Sequence, residues 1–150
     1  MSYTELVQAY FERSTALQWY WTIYVLAIGG VLGFSTFRQR PDIVTTVLVT
    51  ILYACFAYKN VDAITATAEE REAILSAIKD YPASGSNAAD VKRVRDKLEP
   101  TLTAYDIAGA RYFHVGCDLL TIAFLWAKEW RRRKPEQPAG TGSDTGRTSV

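Results

Sequence analysis

Apolar and polar positions are sharply segregated along this 150-residue chain. Charge collects in the first stretch, in a short link from Arg38 to Asp42, in a middle block from Lys59 to Glu99, and in the C-terminal tail. Apolar runs lie between them. A soluble helical domain mixes its charges more evenly, because each surface helix needs a polar face. The first run, residues 17–37, has the body WYWTIYVLAIGGVLGFSTF without a single charge. About 20 such residues suffice to cross roughly 30 Å of hydrocarbon as a helix. The second run, up to Tyr58, is rich in β-branched residues from Ile43 to Ile51. In water that would suggest strand. In lipid a lone strand pair leaves backbone groups unpaired, so helix is expected. Pro41 and Asp42 in the link suit the start of this second helix. The third run, residues 103–127, is apolar but interrupted by Asp106, Arg111, His114 and Asp118.

The charged stretches have their own periodicity. Tyr3, Val7, Tyr10 and Phe11 are helically spaced, which predicts a short interfacial helix over residues 1–16 feeding the first span. It lacks the basic start and cleavage site of a signal peptide. After Lys59, the residues Val61, Ile64, Ala68, Leu75 and Ile78 form one stripe, and no breaker separates them from the second span. A single helix therefore leaves the membrane and runs to about Asp80. YPASGSN is a loop by composition. Val91, Val94, Leu98 and Leu102 then form a second stripe. The pair should pack as an antiparallel hairpin over residues 59–102. Pro100 stands at the entry to the third run. Residues 128–150 begin with a basic anchor, Arg131, Arg132, Arg133 and Lys134, and continue as a Pro-, Gly-, Ser- and Thr-rich tail expected to be disordered. The predicted fold is an all-α membrane protein: three transmembrane helices (two in a hairpin over residues 17–58), with an extramembrane helical hairpin between the second and third.

Composition adds location. Trp19, Tyr20, Trp21, Tyr24, Tyr53, Tyr58, Tyr112, Trp126 and Trp130 mostly flank the runs, as aromatic residues do at a membrane interface. The Arg131–Lys134 cluster places the C-terminus in the cytoplasm of a multi-pass inner-membrane protein. The hairpin's own basic residues, Lys59, Arg71, Lys79, Lys92, Arg93, Arg95 and Lys97, pull the other way. A formal net charge of +1 argues against a nucleic-acid partner. Cys55 and Cys117 sit inside apolar runs and read as small buried residues, with neither a disulfide framework nor a zinc spacing. No cofactor is expected, because a single histidine gives no bis-histidine haem site. Nucleophile elbows, phosphate-binding loops and HExxH are absent, and the extramembrane parts are small for an enzyme core, so catalysis is not expected.

The third span carries the candidate chemistry. Arg111, His114 and Asp118 share one helix face. Ionisable groups in hydrocarbon cost about 3 kcal/mol each on insertion scales, so they face protein or water. Two readings follow. The three residues fix helix packing, pairing with each other or with Thr45, Thr46 or Thr50; or they line a proton or ion path. Gly29 and Gly33 form GxxxG in the first span, and Gly116 with Ala104, Ala108 and Gly109 offers a complementary small face. The expected role is that of an assembly, accessory or effector subunit in the lipid bilayer. It would act by helix–helix association, as a homo-oligomer or with a membrane-protein partner, and by presenting its helical hairpin. An oligomeric ion or proton conductor is the alternative. The layout is similar in outline to small bacterial membrane effectors and accessory subunits, with no motif behind the likeness.

Overall fold

The computed structural model describes residues 2–82 and 88–133. They form four α-helices: α1 (Tyr3–Phe37), α2 (Ile43–Lys79), α3 (Ala88–Leu98) and α4 (Ile107–Arg133), with a 3-10 turn at Glu99–Thr101 before α4. The described residues contain no strand. The tail from Lys134 onward and most of the YPASGSN loop lie outside the described residues.

α1 is one helix of 35 residues where two segments were expected. Its start is set by a capping box. The Ser2 hydroxyl accepts from the Glu5 amide at 3.3 Å, and the Glu5 carboxylate accepts from the Ser2 amide at 2.7 Å. Nothing between Phe11 and Leu17 breaks the helix: there is no Gly or Pro, and Ser14 and Thr15 return their hydroxyls to Tyr10 and Phe11 carbonyls. The Arg38–Asp42 link then reverses the chain. Asp42 caps α2 by accepting from the Val44 and Thr45 amides.

α1 and α2 pack as a long antiparallel pair. Burial on α2 falls at Tyr53, Ala57, Asn60, Ile64, Thr67, Ala68, Leu75 and Ile78, and on α1 at Tyr3, Leu6, Tyr10, Leu17 and Tyr24. Steps of three and four keep one stripe of each helix facing its partner. Tyr3, Leu6 and Tyr10 bury against Leu75, Ile78 and Leu102. The first turns of α1 thus pack on protein, where an interfacial helix would lie on lipid. They also take the face of α2 that the expected hairpin assigned to α3. No residue of the 11-residue α3 is buried, and only Val91 leans on this core. The reason is composition: α3 offers Val91, Val94 and Leu98, against Tyr3, Leu6, Val7 and Tyr10 from α1.

Arg71 closes this region. It donates to the Ser14 hydroxyl at 2.9 Å, to the Thr103 carbonyl at 3.1 Å and to the Tyr10 hydroxyl, with its guanidinium over the Tyr10 ring at 4.5 Å. It holds the non-helical 102–106 segment, so α4 begins at Ile107 instead of near Thr103. Asp106 sets that start, accepting from the Gly109 amide at 2.9 Å. A Cβ at position 109 would strike the Asp106 carboxyl group, which is why glycine suits the first turn there.

Two helices, α1 and α2, are long and apolar enough to cross a membrane. Only 11% and 22% of their apolar windows are buried, unlike the core helices of a soluble protein. Instead Val25, Leu26, Val44, Ile51 and Leu52 are exposed, and Phe113, Leu119 and Leu120 continue the belt on α4. Exposed apolar surface of this extent marks contact with lipid or with other chains.

Candidate functional site between the three long helices

The best-built polar cluster lies where α1, α2 and α4 meet. His114 and Asp118 are one turn apart on α4, and the structure brings them together as their spacing predicts. The imidazole Nδ1 lies 2.8 Å from Asp118 Oδ2. Asp118 Oδ1 accepts from the Tyr53 hydroxyl of α2 at 2.7 Å and from the Tyr24 hydroxyl of α1 at 3.0 Å. Tyr24 also reaches the His114 carbonyl at 3.1 Å. On the other side of the ring, Asn60 Nδ2 stands 3.2 Å from His114 Nε2. The Tyr24 ring stacks on the imidazole, centroids 3.7 Å apart at 27°. Trp21 flanks both rings and donates to the Tyr105 hydroxyl at 2.9 Å. His114 is 1% exposed.

The helical register explains the assembly. Tyr53 and Asn60 are seven residues apart on the buried stripe of α2, so both face α4. Tyr24 lies seven residues beyond Leu17 on the stripe of α1. The partners of Asp118 are thus tyrosines and an imidazole, where Thr45, Thr46 and Thr50 were the sequence candidates. Tyr24 and Tyr53 read from sequence as members of an aromatic belt. Their position on the buried stripes, spaced by sevens from Leu17 and Asn60, was the signal that separates them from it.

Arg111 does not join this cluster. It is exposed, and among the described residues it forms no ion pair. It lines an open groove of about 560 Å³ between α2 and α4, together with Tyr58, Asp62, Thr65, Val115 and Asp118. The Asp118 side chain remains 16% exposed toward this groove.

A second polar cluster closes the far end of the helices. Glu129 is 2% exposed, and its carboxylate meets groups of the Arg38–Asp42 link, α2 and α4 at once. Thr46 donates to it at 3.2 Å, Arg133 donates at 3.2 Å through Nε and Nη2, and Arg38 lies 3.8 Å away. Arg38 also donates to the Asp42 carbonyl at 2.6 Å, and Arg132 donates to the Ser35 carbonyl. Arg132 therefore ties α4 to the last turn of α1, and Arg133 braces Glu129 from within α4, in addition to any role as membrane anchors. Arg131 is exposed and Lys134 lies outside the described residues. Glu129 escaped sequence reasoning because it sits inside a basic cluster. Its spacing of four from Leu125 and eight from Thr121, both buried, is the signal that marks it. In the same link, hydrogen bonds from the Thr45 hydroxyl and amide hold the Asp42 carboxyl below its ordinary pKa.

The glycines behave differently from a packing seam within one chain. A Cβ placed on Gly29, Gly33 or Gly116 would meet no other group within 4 Å. The GxxxG face of α1 and the small face of α4 are not brought together. Both cysteines are free, with Cys55 exposed.

No protein-family model matches this chain, and no curated protein or solved structure is detectably similar to it.

Proposed function

We propose that this chain is a three-span membrane protein that works as an assembly or accessory subunit, associating through its helices. α4 is the third span: its His114, Asp118 and Glu129 are turned inward onto α1 and α2, and Phe113, Leu119 and Leu120 face outward, with Arg111 as the exposed exception. The basic end of α4 with the Arg38 link is cytoplasmic, and the α1–α2 extension with α3 projects on the opposite side. That projecting end presents the charged faces of α2 and α3 to a partner.

One observation carries the reading. The Gly29/Gly33 face of α1 is small, lies in one of the two helices apolar enough to cross a membrane, and a Cβ there would meet nothing within the chain. Glycines spaced in this way let two helix backbones approach closely in lipid. A conducting oligomer has less support. Its proposed lining separates, with Arg111 facing outward and His114 enclosed by three helices of a single chain at 1% exposure.

The test is Gly29→Leu and Gly33→Leu, singly and together. The monomer should keep its stability to within about 0.5 kcal/mol, the usual range for a substitution that touches nothing. Association in detergent, read by light scattering or by cross-linking in native membranes, should fall sharply. Retained association removes this face as the interface. Loss of monomer stability means that the glycines pack internally.

A further inference from the structure

Arg111 stands apart from the two buried polar layers. Its side chain is exposed, and among the described residues it makes neither a hydrogen bond nor an ion pair. Its height follows from contacts between the helices. His114, Asp118 and Glu129 of α4 meet Asn60, Tyr53 and Thr46 of α2 in turn, so the two helices run in opposite directions. Arg111 lies almost one turn nearer the start of α4 than His114, level with the residues just after Asn60. The apolar run of α2 ends there: Tyr58 is exposed, and Lys59 and Asp62 follow. On the three-span reading this is the headgroup level, where an arginine extends its charge to the membrane surface.

The groove of about 560 Å³ between α2 and α4 leads away from Arg111 into the apolar part of the helices. It follows α2 from Thr65 to Ala54. Eleven residue steps, from 54 to 65, at about 1.5 Å each give a length of roughly 16 Å. That is close to half of the roughly 30 Å hydrocarbon thickness, the depth of one leaflet. Its walls are made of small side chains, Ala54, Ala57, Val61 and Val115. The mouth is polar, with Arg111, Asp62 and Thr65, and the far end at Ile122 is apolar. Asp118 also reaches the groove, but its carboxylate is already met by the Tyr24 and Tyr53 hydroxyls at 3.0 and 2.7 Å. A slot one leaflet deep, apolar below and charged at its mouth, has the dimensions and polarity of a phospholipid.

We propose that this groove binds one molecule of phosphatidylethanolamine, with its phosphate on Arg111, its ammonium on Asp62 and one acyl chain along the small wall residues. The site needs α4 to be a span, so it rests on the function proposed above. The planar guanidinium fork matches a pair of phosphate oxygens. The mouth offers one fixed positive and one fixed negative group, which suits a zwitterionic headgroup. Phosphatidylglycerol brings a negative charge and no cation for Asp62. Phosphatidylcholine brings a cation without an N–H, so it cannot donate to the carboxylate. The ethanolamine ammonium carries three donors, as a lysine ammonium does. Lys59 lies 3.8 Å from Asp62, but both side chains are exposed, and an exposed pair of this kind contributes little. The lipid ammonium can therefore take the place of Lys59.

The experiment is native mass spectrometry of the full chain in detergent, titrated with phosphatidylethanolamine, phosphatidylcholine or phosphatidylglycerol of identical acyl chains. Phosphatidylethanolamine should bind about tenfold more tightly than either of the others, the equivalent of one hydrogen bond to a charged group. Arg111→Gln should weaken all three, and its melting should match the wild type because the side chain has no partner among the described residues. Asp62→Asn should lower phosphatidylethanolamine to the affinity of phosphatidylcholine. Ala54→Phe, at an exposed wall position, should obstruct the acyl chain and weaken all three. Equal binding of the three lipids by the wild type overturns the site, as does a preference for phosphatidylglycerol or phosphatidylcholine. So does an Arg111→Gln or Asp62→Asn variant with unchanged lipid binding. The wild-type ranking decides even where a variant fails to fold. The spans are tested separately, with Lys79→Cys and Arg131→Cys in a chain whose Cys55 and Cys117 are replaced by alanine, labelled in intact vesicles by an impermeant maleimide. Labelling from the same side overturns the three-span reading and the site with it. Labelling from opposite sides without a lipid preference overturns the lipid site alone.

Discussion

Replacing Tyr53 by Phe removes a single hydroxyl from the central cluster and leaves its ring in place. The deleted bond is short, 2.7 Å, and its acceptor is the Asp118 carboxylate. In a soluble protein, a hydrogen bond to a charged group contributes about 1.5–3 kcal/mol. Between membrane helices the measured average is lower, about 0.6 kcal/mol with a maximum near 1.7, because separated helices find other partners in the membrane. Two features place Tyr53 at the upper part of the membrane range. Its residue is 4% exposed, so water does not replace the lost donor. Its acceptor also has few alternatives, since Oδ1 keeps only Tyr24 at 3.0 Å. The expected loss is therefore about 1–1.7 kcal/mol, near tenfold in the unfolding equilibrium. It is read by unfolding in mixed micelles of mild detergent and dodecyl sulfate. Tyr58→Phe is the control, because Tyr58 is 69% exposed. The cycle closes with Asp118→Asn, against which Tyr53→Phe should lose less than in the wild type. A Tyr53 variant indistinguishable from the Tyr58 control would refute the reasoning, as would an equal loss in the Asp118→Asn background.

Glu129→Ala leaves Arg38 and Thr46 without their carboxylate. Arg133 is 43% exposed and can turn to water, so most of the damage falls on Arg38, whose side chain is 15% exposed. The expected loss is about 2–3 kcal/mol, below the range for a fully buried pair, and melting in detergent measures it. Arg71→Lys keeps the charge but not the planar fork that reaches Ser14, Tyr10 and Thr103 together; amide exchange at Thr103, Ala104 and Tyr105 should rise severalfold while α1 and α2 stay protected. Asp42 titrates below the ordinary carboxylate range in the folded protein. Its cap therefore contributes above the unfolded pKa and is lost as pH falls through the folded one. The Val44 and Thr45 amide shifts should report that loss in acid, and Asp42→Asn should abolish the pH response while keeping an acceptor oxygen.

The order and type of the helices were legible because their cause is periodicity. The apolar stripe from Val61 to Ile78 continues the second run without a breaker, and α2 accordingly runs unbroken from Ile43 to Lys79. The pairing of those stripes was less legible. Residues 3–16 and 88–98 both offer an apolar stripe to α2, and only side-chain size separates them: two tyrosines and a leucine against two valines and a leucine. The start of α4 depended on Arg71, a residue some thirty positions away that holds Thr103 out of the helix, and local pattern contains no trace of it. In the site, His114 with Asp118 followed from their spacing on one helix. Arg111 shares that spacing but projects into the groove, since a residue at the edge of a helix face can follow either side. Asn60, Tyr24 and Tyr53 enter through contacts between helices, which no single stretch of sequence records.

The polarity of α4 acquires a physical sense from these contacts. Alone in hydrocarbon, Asp118 and Arg111 would each oppose insertion by about 3 kcal/mol, more than its leucines and aromatics easily offset. In the fold Asp118 and Glu129 of α4 each meet groups supplied by α1, α2 or the link between them. Tyr24 and Tyr53 serve Asp118, and Arg38 and Thr46 serve Glu129. These two layers lie three turns apart on α4, so together they fix both its rotation and its register against the α1–α2 pair. On the three-span reading, α4 enters the membrane as a partner of helices already there, and its acids select the one docking geometry that satisfies both layers at once. A shift of α4 by a single turn would take Asp118 away from Tyr24 and Tyr53 and Glu129 away from Arg38 and Thr46. The polar residues that weaken α4 as a span are thus the same ones that specify where it sits.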